Sequence, residues 1–325
     1  MKIGNIDIPS NVILAPMADV TDPVYRMICR MHGCECAVTE MVNARALSYS
    51  NKNTLKMLEA HPEDRPLGLQ LVGHESGYFI SALKKLSEAG VHYDFIDINA
   101  GCPVKKVVNN MEGSALMKDT DLLKKIVSTV RRNTDKPVTV KIRAGFSDSS
   151  RNAVEAAMKC RDAGVSAVFI HGRTREQFYS GRVDKNIIRQ VRNALDVPVV
   201  ASGDIFSPQD AQDMMNDTGV DGVMVARGSY GDPWIFERIK IYFRTGIIVP
   251  FPGTDAVADM MIYHLRKMCE FYSPEHGPCV FRKVFVWYTK GFSGTKDLRR
   301  RIFSAATEQE CMDVINDFRL CRRNV

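Results

Sequence analysis

An α/β fold, a (β/α)8 barrel followed by a small all-helical C-terminal domain, is predicted by three features of this 325-residue chain. Eight short apolar runs recur between residues 12 and 226. Stretches of helical periodicity separate most of them, and beyond a Pro/Gly segment at 250–253 the pattern turns wholly helical. The runs are 12–15, 36–39, 67–72, 95–98, 138–142, 167–170, 197–201 and 222–226. β-Branched residues and flanking Gly or Pro favour strands, and near-continuous hydrophobicity favours a parallel sheet covered on both faces. Parallel neighbours need crossovers, which segments 22–31, 75–89, 119–133, 151–163, 185–194 and 207–216 supply as helices. Only the stretch after the second run is irregular. Such a series over about 240 residues matches the usual barrel size of about 250. An open doubly wound sheet would instead place a Gly-rich phosphate fingerprint after the first strand, and Ala15-Pro16-Met17-Ala18-Asp19 is not one. Helical stretches at 256–271, 279–288, 298–305 and 308–320 form the second unit, so the expected domains are 1–250 and 251–325.

No apolar run approaches the roughly 18 residues of a membrane helix, and Met1-Lys2-Ile3-Gly4-Asn5-Ile6-Asp7 lacks the apolar core of a signal peptide. A cytoplasmic location with no membrane partner is the expectation. Nine cysteines cannot all pair, and their spacing gives neither a disulfide framework nor a zinc site, so no metal is expected. Cys29, Cys34, Cys36 and Cys160 read as reduced core residues. The net charge of +6 is concentrated: residues 282–325 carry ten Lys or Arg against five acids, leaving +1 for everything before them. A near-neutral body with a basic C-terminal lobe points to a polyanionic partner for that lobe.

In a barrel the residues at the C-terminal ends of the strands converge on one mouth. Here these are Pro16-Met17, Glu40, Gln70, Asn99 with Cys102, Lys141 with Arg143, His171 with Arg173, Ser202-Gly203-Asp204 and Arg227-Gly228. An unpaired buried polar group costs about 1–3 kcal/mol, so so many together argue for a shared polar ligand. Taken singly, Gln70 reads equally as a satisfied core amide, His171 as a packed imidazole and Lys141 as a snorkelling stem. The small residues of Ser202-Gly203-Asp204-Ile205 and Ala226-Arg227-Gly228-Ser229 suit a phosphate after the last two strands. Lys141 and Gln70 would then reach the ring of a mononucleotide, with Cys102 facing its exposed side. Cys102 itself is carried on the Gly/Pro-bent loop Asn99-Ala100-Gly101-Cys102-Pro103, where a structural thiol has little to pack against.

These motifs, together with Thr21-Asp22, Val140-Lys141-Ile142-Arg143, His171-Gly172-Arg173-Thr174 and Pro233-Trp234-Ile235-Phe236, resemble the tRNA-dihydrouridine synthases, most of all the bacterial B-type branch. The resemblance extends into the helical lobe at Phe281-Arg282-Lys283 and Trp287-Tyr288. It implies reduction of selected uridines in tRNA, with FMN as cofactor and NADPH as reductant. The implied FMN contacts are Pro16, Met17, Ala18, Gln70, Lys141, His171, Ser202, Gly203, Asp204, Ala226 and Arg227, and Cys102 is implied to be the proton donor to C5 of the uracil. Ser202 departs from the Asn typical of the family, and Lys185 stands where Trp often follows the Asp.

Asn99 and Arg173 are expected at the substrate base, and Lys105, Lys106, Arg282, Lys283, Lys290, Arg299 and Arg300 at the tRNA backbone. Trp287, Tyr288 and Phe292 could stack bases, but at helical spacing they read more readily as core. No obligate protein partner is expected. Two rivals stay open on sequence: a small-molecule flavin barrel of the dihydroorotate dehydrogenase kind, and an RNA-binding protein that has lost its chemistry.

Overall fold

The computed structural model describes residues 1–49, 54 and 56–323. A two-residue hairpin pair, β1 (Lys2–Ile3) and β2 (Ile6–Asp7), precedes the barrel. The barrel strands are β3 (Val12–Leu14), β4 (Cys36–Val38), β6 (Leu67–Val72), β7 (Phe95–Ala100), β8 (Val138–Arg143), β9 (Ala167–His171), β10 (Val199–Ser202) and β11 (Gly222–Val225). All are parallel to their neighbours. The ring closes through β11 to β3 and through β4 to β6, where Ala37 pairs with Leu67. A short strand β5 (Val42–Asn43) adds to the upper end of β6, inside the stretch that reads as irregular in sequence. Every expected strand is present. The helix Ile235–Thr245, which completes the eighth unit, and the short helix Lys105–Asn109 are additions to the sequence reading.

Side chains alternate along each strand, and this alternation divides the core in two. Leu67, Leu69, Leu71, Ile96, Ile98, Val138, Val140, Ile142, Val168 and Ile170 point outward into the layer shared with the helices. Ile13, Val38, Phe95, Phe169, Val200 and Met224 point inward, and Ile3 and Ile8 of the N-terminal hairpin segment join them to seal the lower end of the barrel. Higher up, the inward positions turn polar: Gln70 aligns with Asp97, Asp97 with Thr139, Asn99 with Lys141, Arg143 with His171, and His171 with Ser202. Gln70 and Lys141 lie within their strands, as the sequence runs place them, and the strands extend one residue or more beyond the runs to take in Asn99, Arg143, His171 and Ser202 as well. A two-residue period lets a strand such as Val138–Arg143 be apolar towards its helices and polar towards the axis at once.

Four helices, Thr254–Tyr272, Gly277–Tyr288, Thr295–Ser304 and Glu308–Phe318, follow. Their core, including Met261, Leu265, Phe281, Phe285, Ile302, Ile315 and Phe318, also contains Val24 and Ile28 of the barrel helix Pro23–Met31. The helical lobe is thus built on the first barrel helix. Tyr272 donates to Asp22 Oδ2 at 2.7 Å, which pins the lobe beside the loop after β3, while Tyr25 of the first barrel helix donates to the Ser229 carbonyl at 2.6 Å and ties that helix to the loop after β11. Tyr288 and Phe292 are buried, and Trp287 stacks on Tyr230 with ring centroids 4.4 Å apart, in keeping with the core reading of these aromatics. No described helix is long and apolar enough to cross a membrane.

Gly68 is the inward residue opposite Phe95, and a Cβ there would lie 2.4 Å from the Phe95 ring. Gly68→Ala is expected to destabilise the barrel by about 1–3 kcal/mol, the usual cost of overpacking. Thermal unfolding should show a lower Tm that Gly68→Ala/Phe95→Leu largely restores; an unchanged Tm for the single variant would contradict this packing.

Candidate active site

A cavity of about 380 Å³ opens at the C-terminal end of the strands, within the roughly 300–1,000 Å³ usual for small-molecule sites. Its walls include Pro16, Met17, Ala18, Gln70, Asn99, Cys102, Lys141, His171, Ser202, Gly203, Asp204, Ala226 and Arg227. Every residue named above for the cofactor is therefore gathered in one place. Arg173, Lys105, Lys106 and the basic residues of the helical lobe are not part of the lining.

Cys102 is held by the barrel beneath it. Asn99, an inward residue of β7, accepts the N–H groups of Gly101 at 3.1 Å and Cys102 at 2.9 Å through Oδ1. Its Nδ2 donates to Gln70 Oε1 at 2.7 Å. Both ends of the Asn99 amide are thus engaged within the protein, which makes it the anchor of the loop. The Cys102 carbonyl accepts from the Ser114 N–H and hydroxyl at 3.1 and 2.8 Å, and Arg143 Nε donates to the Gly101 carbonyl at 2.7 Å. Gly113 packs tightly against Cys102, and a Cβ there would sit 3.0 Å from the cysteine's own Cβ. The thiol is half-buried, and burial pushes its pKa up, so it stays protonated at neutral pH.

The cavity carries more positive than negative charge. Lys141 Nζ meets Ser202 Oγ at 3.1 Å; burial lowers its pKa, with Asp97 acting in the opposite sense and Arg143 adding to the fall. Ser202 thus offers Lys141 a small polar partner. His171 is pushed well down by burial and then by Arg143, Lys141, Arg173 and Arg227, so its imidazole is neutral. Arg227 lies 4.5 Å from the Tyr179 ring centroid and 5.7 Å from that of Phe206, forming one rim of the mouth. Asp204 is held mainly by Arg173: it accepts Arg173 Nη2 through both oxygens at 2.8 and 2.7 Å, and the Val183 N–H at 2.9 Å, while Arg227 Nη2 lies 4.0 Å from its Oδ1.

Arg173 is fully buried, and it also donates to the carbonyls of Ser180 and Gly181. The expectation that it meets the substrate base is therefore corrected, because its guanidinium is spent on fixing the loops after β9 and β10. Arg143 plays a similar part from β8, joining Gly101 to the carbonyls of Thr174 and Phe178.

After β10 the backbone bends sharply, with φ of 114° at Gly203 and 54° at Asp204. Among the described residues neither of their N–H groups finds a partner in the protein. Gly203 also allows close packing on His171, whose ring carbon Cδ2 would be 2.7 Å from an added Cβ. Two unpaired N–H groups beside Arg227 and Lys141 make an anion-binding corner. This corner, with the cavity's size and its surplus of cations, fits a flat ligand that carries a phosphate.

The expected RNA-facing residues divide. Lys105, Lys106 and Lys290 are exposed and hold no ion pair among the described residues. Arg282 donates to the Ala305 carbonyl at 2.7 Å, and Arg299 to Thr289 at 3.0 Å and 2.7 Å, so both are tied to helix ends. Arg300 pairs with Asp297, and Lys283 reaches the Asp19 carbonyl at the barrel–lobe junction.

Asp97 and Thr139 were missed in the sequence, as were the wall aromatics Phe178, Tyr179, Phe206 and Tyr230. Asp97 and Thr139 were signalled by the alternation 95/97/99 and 139/141/143. The aromatics sit in loops, where no period marks them. Among the described residues no group of three or more His, Cys, Asp or Glu side chains could hold a metal ion.

A closed parallel barrel whose cavity gathers a thiol, an ammonium and an imidazole at the C-terminal strand ends belongs to the class of (β/α)8 barrel enzymes. Solved structures agree at the level of fold: an old yellow enzyme homologue from Zymomonas mobilis superposes with a TM-score of 0.52 at 12% identity, covering 74% of this chain and 90% of its own. The 6-hydroxypseudooxynicotine amine oxidase from Pseudomonas geniculata N1 gives 0.58 at 13% identity, covering 76% and 49%. The sequence model of the dihydrouridine synthase family matches residues 13–320. The tRNA-dihydrouridine synthase B of Xanthomonas campestris is 39% identical over 98% of this chain and 95% of its own length. The probable tRNA-dihydrouridine synthase of Rickettsia prowazekii is 38% identical over 92% and 91%. The chain belongs to the dihydrouridine synthase family, in its bacterial B-type branch.

The neutral His171 has a consequence for stability. An unfolded histidine titrates near pH 6.5, and the folded residue binds its proton more weakly, so the unfolded state takes up protons first as pH falls. Its contribution is complete above pH 6.5 and declines below it, by at most about 1.4 kcal/mol per pH unit. His171→Gln should remove that part of the acid slope in denaturant unfolding between pH 6.5 and 5; an unaltered slope would mean the native imidazole is already charged.

Proposed function

We propose that this protein reduces the C5–C6 bond of uridines in tRNA, with FMN held in the barrel cavity, NADPH as reductant and Cys102 as the acid that protonates C5. The observation that carries the reading is a protonated thiol fixed at the edge of a cation-lined cavity, in a chain whose family acts on uridine. FMN, when bound, supplies the hydride that NADPH delivers to it.

The chain's own residues bind, orient and protonate. Gly203, Asp204 and Arg227 would hold the phosphate; Pro16, Met17, Ala18 and Ala226 would pack along the ring, and Gln70, Lys141, His171 and Ser202 would meet its polar edge. Among the described residues Lys141 has no carboxylate within ion-pair distance, so its ammonium would face negative charge on the ring side of the cavity. A thiol suits the acid role because it keeps its proton at neutral pH yet gives it up far more readily than a hydroxyl. Asn99 acts by aiming the loop rather than by touching the base. A uracil stacked inside folded RNA cannot reach this depth, so the nucleotide is turned out into the mouth. Affinity comes from phosphate contacts, with Lys105 and Lys106 closest in sequence to the chemistry. The soluble context expected from sequence, the cytoplasm, suits a tRNA substrate.

The family match through residue 320 takes in the helical lobe, which a barrel acting on a free pyrimidine has no need of. Position-resolved mapping of dihydrouridine in tRNA, from cells with and without this protein, tests activity and substrate class together. Unchanged dihydrouridine at every position would refute the reading.

Cys102→Ala should retain FMN and tRNA binding while dihydrouridine formation falls by at least a hundredfold; turnover near that of the wild type would remove Cys102 from the mechanism. Lys105→Glu/Lys106→Glu should weaken tRNA binding at least tenfold and reduce the salt slope of log K by about 2, or one per lost phosphate contact, as read by binding titrations at several salt concentrations. An unchanged slope would place the RNA elsewhere.

A further inference from the structure

Beneath the cavity floor the Asn99 anchor continues into a line of buried hydrogen bonds whose far end, Asp97 and Thr139, no role given so far requires. Thr139 Oγ1 donates to Asp97 Oδ1 at 2.6 Å, and Gln70 Nε2 donates to Asp97 Oδ2 at 2.6 Å. Asn99 Nδ2 donates to Gln70 Oε1 at 2.7 Å, and Asn99 Oδ1 accepts the Cys102 N–H at 2.9 Å. Asp97 and Thr139 are completely buried, and Gln70 and Asn99 nearly so. No cation lies within ion-pair distance of Asp97 among the described residues. Leaving a carboxyl group on the axis of a barrel is costly, and a Val or Ile at that position would fill the same space without the penalty.

We propose that Asp97 is a positioning residue for Cys102: its two acceptor oxygens fix the direction of every hydrogen bond in the line and so lock the loop that presents the thiol. This rests on the reading of Cys102 as the acid. An ionised carboxylate can only accept, so Gln70 must turn its NH₂ down towards Asp97 and its carbonyl up towards Asn99. Asn99 must then turn its NH₂ towards Gln70, which leaves its carbonyl for the two loop N–H groups. With an apolar residue at 97 a flipped Gln70 would lose no bond below, and a flipped Asn99 that followed it would set its NH₂ against the N–H groups of Gly101 and Cys102. The carboxylate removes that alternative from three hydrogen bonds away, through Gln70 and Asn99 to the Cys102 N–H. The same line fixes Gln70, a wall residue of the cavity, so one buried group sets both the floor and the loop.

The test reads the loop directly, by the rate at which iodoacetamide labels Cys102 in the folded protein, followed by mass spectrometry of its peptide, alongside kcat and KM for tRNA. In Asp97→Asn the amide oxygen can still accept from Gln70 while its NH₂ donates to the Thr139 hydroxyl, so the direction survives; labelling and kcat should match wild type, within about 1.3-fold. Asp97→Ala breaks the line, and Cys102 should label at least fivefold faster while kcat falls at least tenfold with KM for tRNA little changed. Thr139→Val, nearly isosteric, loses one donor and should shift labelling in the same direction by about twofold, which keeps the test available should Asp97→Ala fold poorly. Wild-type labelling in both Asp97→Ala and Thr139→Val would overturn the proposal, as would equal losses in Asp97→Asn and Asp97→Ala, which would mean that charge rather than hydrogen-bond direction is what Asp97 supplies. Because labelling does not depend on turnover, it distinguishes a failure of this proposal from a failure of Cys102 as the acid, which Cys102→Ala tests separately.

Discussion

Closing eight parallel strands into a ring forces every second side chain of each strand onto a common axis, and the rest of this molecule follows from how that axis is filled. At the lower end Phe95, Phe169, Ile13 and Met224 pack it solid, with Ile3 and Ile8 as a plug. At the upper end the same inward positions carry Gln70, Asp97, Asn99, Thr139, Lys141, Arg143, His171 and Ser202. A packed lower half makes the upper half rigid, so polar groups placed there keep fixed separations. That rigidity is what allows a loop thiol to be aimed from below rather than held by contacts at the surface.

The charges on the axis are unbalanced, and the imbalance has a direction. Asp97 is pushed up by burial, with Gln70, Thr139 and Lys141 opposing, while Lys141 and His171 are pushed down. Asp204 is taken up by Arg173. What remains facing the cavity is Lys141, Arg227, whose Nη2 lies 4.0 Å from an Asp204 oxygen that Arg173 already holds, and two backbone N–H groups that find no partner among the described residues. Groups of this kind are expensive to bury unless a ligand supplies the missing negative charge. An anionic ligand therefore completes the electrostatics of the barrel as well as its chemistry.

The architecture was legible because strand and helix periods differ and because Gly and Pro mark the turns between them. The gathering of Gln70, Lys141, His171 and Cys102 was legible once the barrel was accepted, since that topology brings the strand ends together. Three things were not. Arg173 stands two residues after His171 and has a suitable side chain, yet its direction depends on Asp204, thirty-one residues further on. Asp97 looked like one more interruption of an apolar run, because a sequence does not show which two donors will meet a buried carboxylate. The helix Ile235–Thr245 follows a Pro-Trp turn and carries Arg, Lys and Glu among its apolar residues, which masks its buried face of Ile235, Phe236 and Ile239.

The basic C-terminal segment shows most clearly how regional charge and usable charge differ. Arg282 and Arg299 satisfy carbonyl groups at helix ends, and Arg301 and Arg319 pair with Asp317, Asp255 and Asp259. Those guanidinium groups hold the lobe together before they meet anything outside it. Lys105 and Lys106 carry no such duty, and they stand on the helix that leads directly out of the Cys102 loop. Cations on a short helix continuous with the reactive loop would, under the proposed function, couple phosphate binding to the position of the thiol, whereas the lobe connects to the barrel through a separate hydrophobic core that includes Val24 and Ile28. Under the proposed function, the lobe would choose how a folded RNA lies across the mouth, and the loop would grip the nucleotide that enters it.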